Sequence, residues 1–92
     1  MADLRVHVPF LLRGTLGDRP GVTIEATTLE QGLATLFRSY PLLERHVHDD
    51  HGVMRQHVFI AYNGRNIAHM PDRSVALRDG DRIDVLQAVS GG

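Results

Sequence analysis

Three histidines and two aspartates lie within residues 46–51, where they form a dense group of potential metal ligands. Imidazole nitrogens and carboxylate oxygens both bind Zn²⁺ and Ni²⁺. The order His46-x-His48-x-Asp50-His51 also matches the metal signature of a superfamily of hydrolases. That fold is far larger than 92 residues and takes further ligands from distant segments. We therefore interpret residues 46–51 as a polar, partly titrating loop and predict no metal site.

Residue types that carry nucleophilic chemistry are scarce. The absence of cysteine excludes disulfides, Cys-ligated zinc, iron–sulfur clusters and a thiol nucleophile. Hydroxyls such as Ser74 and Ser90 have no base that the spacing identifies, and Gly14 and Gly17 lack the Lys-Ser/Thr of a P-loop. A chain of 92 residues also has little surplus stability with which to enclose a deep cavity. These observations favour a binding or carrier module over a free-standing enzyme.

The charge balance excludes further classes of function. Ten basic residues, all arginine, oppose eleven acidic ones, so the net charge is −1 and the chain has no lysine. A near-neutral chain lacks the electrostatic footprint of a nucleic-acid binder. The longest apolar run falls far short of the roughly 18 residues of a membrane span, and residues 1–5 carry no signal-peptide core. We expect no nucleic acid or membrane partner and a cytoplasmic location.

The first quarter of the chain predicts a β-hairpin. Residues 4–10 alternate apolar and polar side chains, which predicts a half-buried strand. The residues placed on its buried face are Leu4, Val6, Val8 and Phe10. Pro9 removes a ladder donor, so we expect a bulge or the end of the strand near it. A turn rich in glycine and proline over 13–21 leads to a second strand over 22–26.

One amphipathic helix follows. Thr28 is a good N-cap, and Gln31 completes a capping-box pattern. The apolar face expected to meet the core comprises Leu29, Leu33, Leu36, Phe37 and Tyr40. Pro41 stops this helix, because proline disfavours helical geometry in the preceding residue. A short helical turn is predicted for residues 42–47.

The second half of the chain reads as three strands. Residues 58–62 are β-branched and aromatic, and Asn63-Gly64 is a strong type I′ hairpin signal, with a short return strand over 65–68. A turn at Asp79-Gly80-Asp81 precedes the last strand over 82–89. The order β-β-α-β-β-β predicts an α+β fold in which one main helix packs on one face of a mixed sheet.

The last two residues, Gly91 and Gly92, follow the Asp79-Gly80-Asp81 turn and its strand at a short distance. This arrangement, with the Asn63-Gly64 hairpin, resembles the ThiS/MoaD family of ubiquitin-like sulfur carriers. The start of the chain is also similar to that family, with Pro9 and Leu12-Arg13. Tyr40-Pro41-x-Leu43 and Arg55 resemble the CysO-like branch of the family. The resemblance covers essentially the whole chain and implies a β-grasp domain over residues 1–89 and a flexible tail over 90–92.

The resemblance also implies a chemistry for the tail. In that family an ATP-dependent enzyme adenylates the terminal carboxylate, and a sulfur donor converts it to a thiocarboxylate. Gly92 would be the reacting residue and Gly91 its flexible neighbour, while Val89 and Ser90 would lead the tail into the partner's channel. Glycine suits such a channel because it has no Cβ and adopts most backbone angles.

The partners follow from the same resemblance. They are an E1-like adenylyltransferase/sulfurtransferase, which uses ATP and Mg²⁺, and a downstream sulfur-acceptor enzyme. The chain itself would bind no cofactor and would act as a protein cosubstrate, or as the small subunit of a molybdopterin-synthase-like enzyme. The pathway stays open between molybdopterin synthesis, cysteine synthesis and sulfur insertion into a secondary metabolite.

A docking surface is expected on the face of the sheet that the helix leaves uncovered. Ile83 and Val85 share one face of the last strand, so Leu86 points to the other face. We place Pro9, from the first strand, on the same outer side. In the ThiS/MoaD family, which the chain resembles, an apolar patch in this position contacts the activating enzyme. The alternative is that Leu86 is an isolated exposed leucine, which is common on protein surfaces and needs no such explanation.

A second class of function stays open. The chain would then be a ubiquitin-like modifier or interaction module, conjugated to other proteins through its C-terminal glycine. Because it has no lysine, it could not build chains on its own side chains.

Overall fold

The computed structural model describes residues 1–87. The strands are β1 (Ala2–His7), β2 (Gly21–Ala26), β3 (Val58–Tyr62), β4 (Arg65–Asn66) and β5 (Asp81–Gln87). The helices are α1 (Leu29–Ser39) and α2 (Pro41–Val47), with 3₁₀ helices at Phe10–Leu16 and Ile67–His69. The predicted α+β architecture is confirmed.

The five strands form one mixed sheet in the order β2-β1-β5-β3-β4. β1 and β5 are parallel, and the other neighbouring pairs are antiparallel. The first and last strands therefore lie side by side at the centre of the sheet. Their C-terminal ends consequently lie at the same end of the sheet.

The core lies between one face of this sheet and the helices. Alternate residues of each central strand are buried there, as their period of two requires. On β5 these are Ile83 and Val85, and on β3 they are Val58 and Ile60. Leu29, Leu33 and Leu36 of α1 pack against them as part of one apolar cluster. The opposite, outer face carries no helix among the described residues.

The local signals around α1 act as predicted. The Thr28 Oγ1 accepts the Gln31 N–H at 3.1 Å, so Thr28 is the N-cap. The Gln31 side chain accepts the N–H of Thr27 rather than that of Thr28, at 2.7 Å. Pro41 ends α1 and occupies the first turn of α2, where its missing N–H costs nothing.

The hairpin signal at Asn63-Gly64 is also confirmed. Both residues have positive φ, 48° and 84°, as a type I′ turn requires. The return strand β4 covers only Arg65–Asn66, because the Asn66 side chain accepts the N–H of Ala68 at 2.9 Å and starts a 3₁₀ turn.

The expected end of the first strand near Pro9 is confirmed, since β1 ends at His7, but its predicted extension to residue 10 is wrong. The 3₁₀ helix Phe10–Leu16 follows instead and overlaps the segment over 13–21 that was predicted to be a turn. Phe10, expected in the core, is 75% exposed. Pro9 is the reason, since it caps the 3₁₀ helix and ends the alternation on which the expectation depended.

Candidate functional site

The end of β5 is the point from which the C-terminal residues continue. Gln87, the last described residue, pairs with Val58 at the start of β3. Val89, Ser90, Gly91 and Gly92 lie outside the described residues, as does the predicted boundary between domain and tail. The described part of the site is therefore the end of the sheet around Gln87, which we call the tail end.

Leu86 lies on the outer face at the tail end, as the alternation of β5 predicted. It is 49% exposed and stands opposite Phe59 of β3, which is 41% exposed. The two side chains form a cross-strand pair on a face that no helix of the described residues covers. Phe59 was not singled out from the sequence, although its position between Val58 and Ile60 places it outward by the same alternation.

The segment after β1 brings two more exposed apolar side chains to the tail end. Phe10 and Leu11 begin the first 3₁₀ helix and are 75% and 79% exposed. The Arg13 guanidinium lies 5.1 Å from the centroid of the Phe10 ring, a cation–π distance. Because β1 runs parallel to β5, this segment leaves the sheet at the same end as Leu86. We call Phe10, Leu11, Phe59 and Leu86 the tail-end patch.

Pro9 contributes to this region from a different position than expected. It lies beyond the end of β1, is half-buried, and takes the extended conformation that starts the 3₁₀ helix. The exposed apolar surface next to it comes from Phe10 and Leu11. Exposed apolar side chains grouped at one end of a sheet mark interaction sites more often than isolated ones do.

Helix α2 also reaches the tail end. The His46 Nε2 lies 3.1 Å from the Gln87 Oε1, which joins α2 to the last described residue of β5. His48 lies 3.5 Å from the Glu44 carboxylate, and its ring packs edge-on against Phe37 with centroids 4.9 Å apart. The His46–Gln87 contact links the end of β5 to the helical layer, and the His48 ring joins α2 to α1.

In the loop that follows α2, the Asp49 side chain makes hydrogen bonds that stabilise a turn. The Asp49 Oδ1 accepts the N–H groups of His51 and Val53 at 2.8 and 3.0 Å. Gly52 has φ of +76° and completes the turn. Within residues 1–87 no three His, Asp or Glu side chains converge in a way that could hold a metal ion.

The opposite end of β5 is held by Asp81. Its carboxylate accepts the Tyr62 hydroxyl at 2.5 Å, the Arg78 N–H at 2.9 Å and the Asn63 side-chain amide at 3.1 Å. The Asn63 Oδ1 in turn accepts the Arg82 N–H at 2.8 Å. The Asn63-Gly64 hairpin and the Asp79-Gly80-Asp81 turn therefore lock together.

These contacts shift the pKa values of both partners. Burial alone would raise the pKa of Asp81, but its three hydrogen bonds and the nearby Arg78 charge outweigh burial and lower it. Burial, followed by the hydrogen bond to Asp81 and the charge of Asp81, raises the pKa of Tyr62 to about 12. The pair is therefore most stable with Asp81 ionised and Tyr62 neutral.

A comparison with known protein families decides what this arrangement is. Residues 11–92 match the model of the ThiS family. The chain belongs to the ThiS family. The resemblance read from its glycine turns and its last two residues is therefore confirmed, and the match runs through Gly92.

Two curated relatives of this ThiS-family chain differ in how much of the chain they match. The sulfur carrier protein CysO of Mycobacterium tuberculosis is 26% identical over 92 residues, covering 98% of this chain and 99% of CysO. Small archaeal modifier protein 3 of Haloferax volcanii is 39% identical over 41 residues, so the match spans less than half of that protein, 45% of either chain. The first similarity covers the whole fold, whereas the second covers one segment of it.

Solved structures confirm the fold of this ThiS-family chain. Small archaeal modifier protein 1 from Methanosarcina acetivorans aligns with a TM-score of 0.77 and 28% identity, covering 100% of this chain and 98% of that one. The fold is the ubiquitin-like β-grasp. No helix within residues 1–87 has the length and apolar character needed to cross a membrane.

Proposed function

We propose that this ThiS-family chain is a sulfur carrier whose C-terminal glycine, Gly92, is adenylated and then converted to a thiocarboxylate. The observation that carries the proposal is the family match through Gly92. The similarity to a sulfur carrier protein along almost the whole length of both chains supports it. The thiocarboxylate would then donate its sulfur to a biosynthetic acceptor enzyme.

The proposed chemistry proceeds in two steps. A carboxylate oxygen of Gly92 attacks the α-phosphorus of ATP, so that a P–O bond forms and pyrophosphate leaves. Hydrosulfide, or an equivalent sulfur donor, then attacks the acyl carbon of this adenylate. A C–S bond forms, the C–O bond to AMP breaks, and the product is the thiocarboxylate.

The chain would supply none of the catalytic groups for these steps. ATP and Mg²⁺ would be held by an E1-like adenylyltransferase/sulfurtransferase, and this chain would be its protein cosubstrate. Gly91 would give the tail its freedom, because glycine adopts backbone angles that other residues avoid. Val89 and Ser90 would connect it to β5. The acceptor enzyme stays open, and in a molybdopterin-synthase-like assembly this chain would be the small subunit.

The tail-end patch has a defined role in this proposal. Phe59 and Leu86 form an apolar surface beside the start of the tail, and Phe10 and Leu11 extend it past the end of β1. An enzyme docked there would receive the tail directly, and burying these side chains would stabilise the complex. Pro9 contributes by setting the direction of the segment that carries Phe10.

Intact mass spectrometry tests the proposal. The full chain is incubated with a cognate activating enzyme, Mg²⁺-ATP and sodium hydrosulfide, and its mass should change by the exchange of one oxygen for sulfur. A variant that lacks Gly92 should remain unchanged under the same conditions. If neither the adenylate nor the thiocarboxylate forms with any activating enzyme of the source cell, the proposed function is wrong.

A second function is favoured by the similarity to small archaeal modifier proteins. The activated Gly92 would then form an isopeptide bond to a lysine amine of another protein, since this chain has no lysine. Adding lysine-containing cell proteins to the activated chain separates the two functions. Covalent adducts that digest to a Gly-Gly-modified lysine support the modifier role, whereas a stable thiocarboxylate without adducts supports the carrier role.

A further inference from the structure

The outer face of the sheet is ordered in rows that the strand register defines. The row nearest the tail end is Leu86 beside Phe59, and the next contains His7, Asp84 and Ala61. The third row is Thr23, Arg5 and Arg82, and the fourth is Glu25 beside Asp3. The face is therefore apolar at the tail end and charged further along the strands.

A small notch interrupts this face between β1 and β2. It has a volume of about 210 Å³, and its polar lining comes from Arg5, His7 and Thr23. Gly21 is essential to its shape, because a Cβ there would lie 2.4 Å from the Val6 carbonyl oxygen and 3.4 Å from the His7 ring. No residue with a side chain could occupy position 21 without moving the strands apart.

The one formal positive charge in the lining of the notch, that of Arg5, lacks a partner among the described residues. Within residues 1–87 the ion pairs are His48–Glu44 and Arg82–Asp84, so Arg5 has none. Arg82, beside it on β5, already has an ion-pair partner, since its guanidinium donates to both Asp84 carboxylate oxygens at 2.8 to 3.0 Å.

The His7 ring faces the notch with its Cδ2 edge, which lies 3.4 Å from the position of a Cβ at residue 21. Its buried Nδ1 has no hydrogen-bond partner among the described residues and is not part of the notch surface. The nearest acidic side chains of the outer face beyond Asp84 are Asp3 and Glu25, which lie one row beyond Arg5, further from the tail end. Neither lies within 4.0 Å of the Arg5 guanidinium. Among residues 1–87, the notch therefore has the positive charge of Arg5 but no anion within ion-pair distance of it.

We propose that this notch receives the carboxylate of an aspartate or glutamate side chain on the activating enzyme, with Arg5 as its ion-pair partner. The volume is below the 300 to 1,000 Å³ of pockets for drug-sized ligands, roughly enough for one side chain. The planar guanidinium of arginine matches a carboxylate in geometry and charge. The inference rests on the proposed function and names the chemistry of the surface that docks on this face.

The register also sets the spacing that the partner must match. Arg5 lies beside Arg82, and Leu86 is four residues further along β5. At about 3.3 Å per residue, the carboxylate site and the apolar pair lie roughly 13 Å apart. A partner with an apolar side chain and a carboxylate at this separation would engage both, and a basic residue in the carboxylate position would be rejected by Arg5.

Steady-state kinetics of the activating enzyme test the inference. The KM for the full chain is measured from ATP-dependent pyrophosphate release with the wild type, Arg5→Glu, Arg5→Gln and Arg5→Lys. Loss of a charged hydrogen-bonded pair should raise KM by roughly 10- to 100-fold in Arg5→Glu, with kcat unchanged. Arg5→Lys should restore part of the loss.

The matched control is Arg65→Glu. Arg65 is exposed on β4 and pairs with Tyr62, so it lies on the helical side of the sheet. The same charge change there should leave KM within about twofold of the wild type.

The KM of the wild type should also rise with ionic strength more steeply than that of Arg5→Gln, because salt screens the ion pair between Arg5 and the partner's carboxylate. A purely structural role of Arg5 would not produce this difference in slope.

The outcomes separate this inference from the function on which it rests. Adenylation of all variants with equal KM overturns the carboxylate contact and leaves the sulfur-carrier function standing. A fall in kcat without a rise in KM also overturns it. If sodium acetate saturates the notch while KM stays unchanged in Arg5→Glu, the notch is a small-anion site and the docking role is wrong. Absence of wild-type adenylation overturns both proposals.

Discussion

At the scale of single residues, Asp81 joins two turns that are distant in sequence. Its carboxylate accepts hydrogen bonds from Tyr62, Asn63 and the Arg78 N–H, so one side chain fixes the start of β5. β5 carries both Leu86 and the residues that continue into the tail. The stability of the Asp81 contacts therefore affects how well the proposed docking surface is supported.

Replacement of this carboxylate has a predictable cost. Asp81→Asn should lower the free energy of unfolding by about 1 to 3 kcal/mol at neutral pH, because the amide cannot accept all three hydrogen bonds. Urea denaturation measures the change. Asp50→Asn, at an exposed position of the loop after α2, is the control and should stay within about 0.5 kcal/mol of the wild type.

The same carboxylate makes stability depend on pH in the acid range. The folded pKa of Asp81 lies below 3.8, the ordinary value. Its contribution is therefore fully present above pH 3.8 and is lost as the pH falls through the lower, folded value. Denaturation measured from neutral to acid pH should show a smaller loss in Asp81→Asn than in the wild type. Identical pH profiles would mean that Asp81 carries no such linkage.

At the scale of elements, Gly32 shows how closely α1 packs on the sheet. Glycine in a helix costs about 1 kcal/mol relative to alanine, so propensity alone predicts that Gly32→Ala is stabilising. A Cβ at this position would lie 2.8 Å from the Leu4 Cδ2, and Leu4 is fully buried. Overpacking of a core costs about 1 to 3 kcal/mol. Packing therefore outweighs propensity.

We expect Gly32→Ala to be destabilising by up to about 2 kcal/mol, the difference between these two effects. A double-mutant cycle with Leu4→Ala, followed by urea denaturation, tests the cause. Removing the Leu4 side chain should relieve the overpacking, so the double variant should be more stable than the sum of the two single effects. Strict additivity would show that Leu4 is not the obstacle.

The tail-end patch leads to the next prediction at this scale. Leu86→Glu should leave stability within about 0.5 kcal/mol of the wild type, because the side chain is half exposed on the outer face. It should raise the KM of the activating enzyme by roughly tenfold or more, because a charge would have to be desolvated at the interface.

Leu42→Glu provides the matched control for this kinetic measurement. Leu42 is a similarly exposed leucine, but it lies on α2 rather than on the sheet. Its replacement should leave KM near the wild-type value. An equal rise in KM for both variants would mean that the tail-end patch is not the docking surface.

The elements also show which features a sequence can predict. The Thr28 cap, the Asn63-Gly64 turn and the outward position of Leu86 depend on neighbouring residues, and each is confirmed. Phe10 was wrongly predicted to be buried because the apolar–polar alternation of the sequence continues through Pro9. The backbone instead forms a 3₁₀ helix from Phe10 onward. The notch beside Arg5 depends on the register of β1 with β2, which no local pattern contains.

At the scale of the whole molecule, the buried core and the proposed chemistry occupy different parts of the chain. The buried apolar residues of the described structure extend from Ala2 to Val85. In a chain of this size such a core leaves only a small margin of stability. In the proposed function, the fold therefore acts as a scaffold, the reacting group lies beyond β5, and the partners supply the active sites.

This separation makes truncation the most direct test of the architecture. A chain that ends at Gln87 should keep a free energy of unfolding within about 1 kcal/mol of the wild type, because it retains every residue of the described core. The same variant should give no pyrophosphate release with the activating enzyme. It should nevertheless inhibit adenylation of the wild type, because the tail-end patch and Arg5 are still present.

Competitive inhibition by the truncated chain, with an inhibition constant near the wild-type KM, would place the binding energy on the folded domain. Arg5→Glu in the truncated chain should then weaken the inhibition by the same factor by which it raises KM in the full chain, because one interface serves both. A truncated chain that folds but does not inhibit would show that the tail itself supplies the affinity, and docking on the outer face would be wrong.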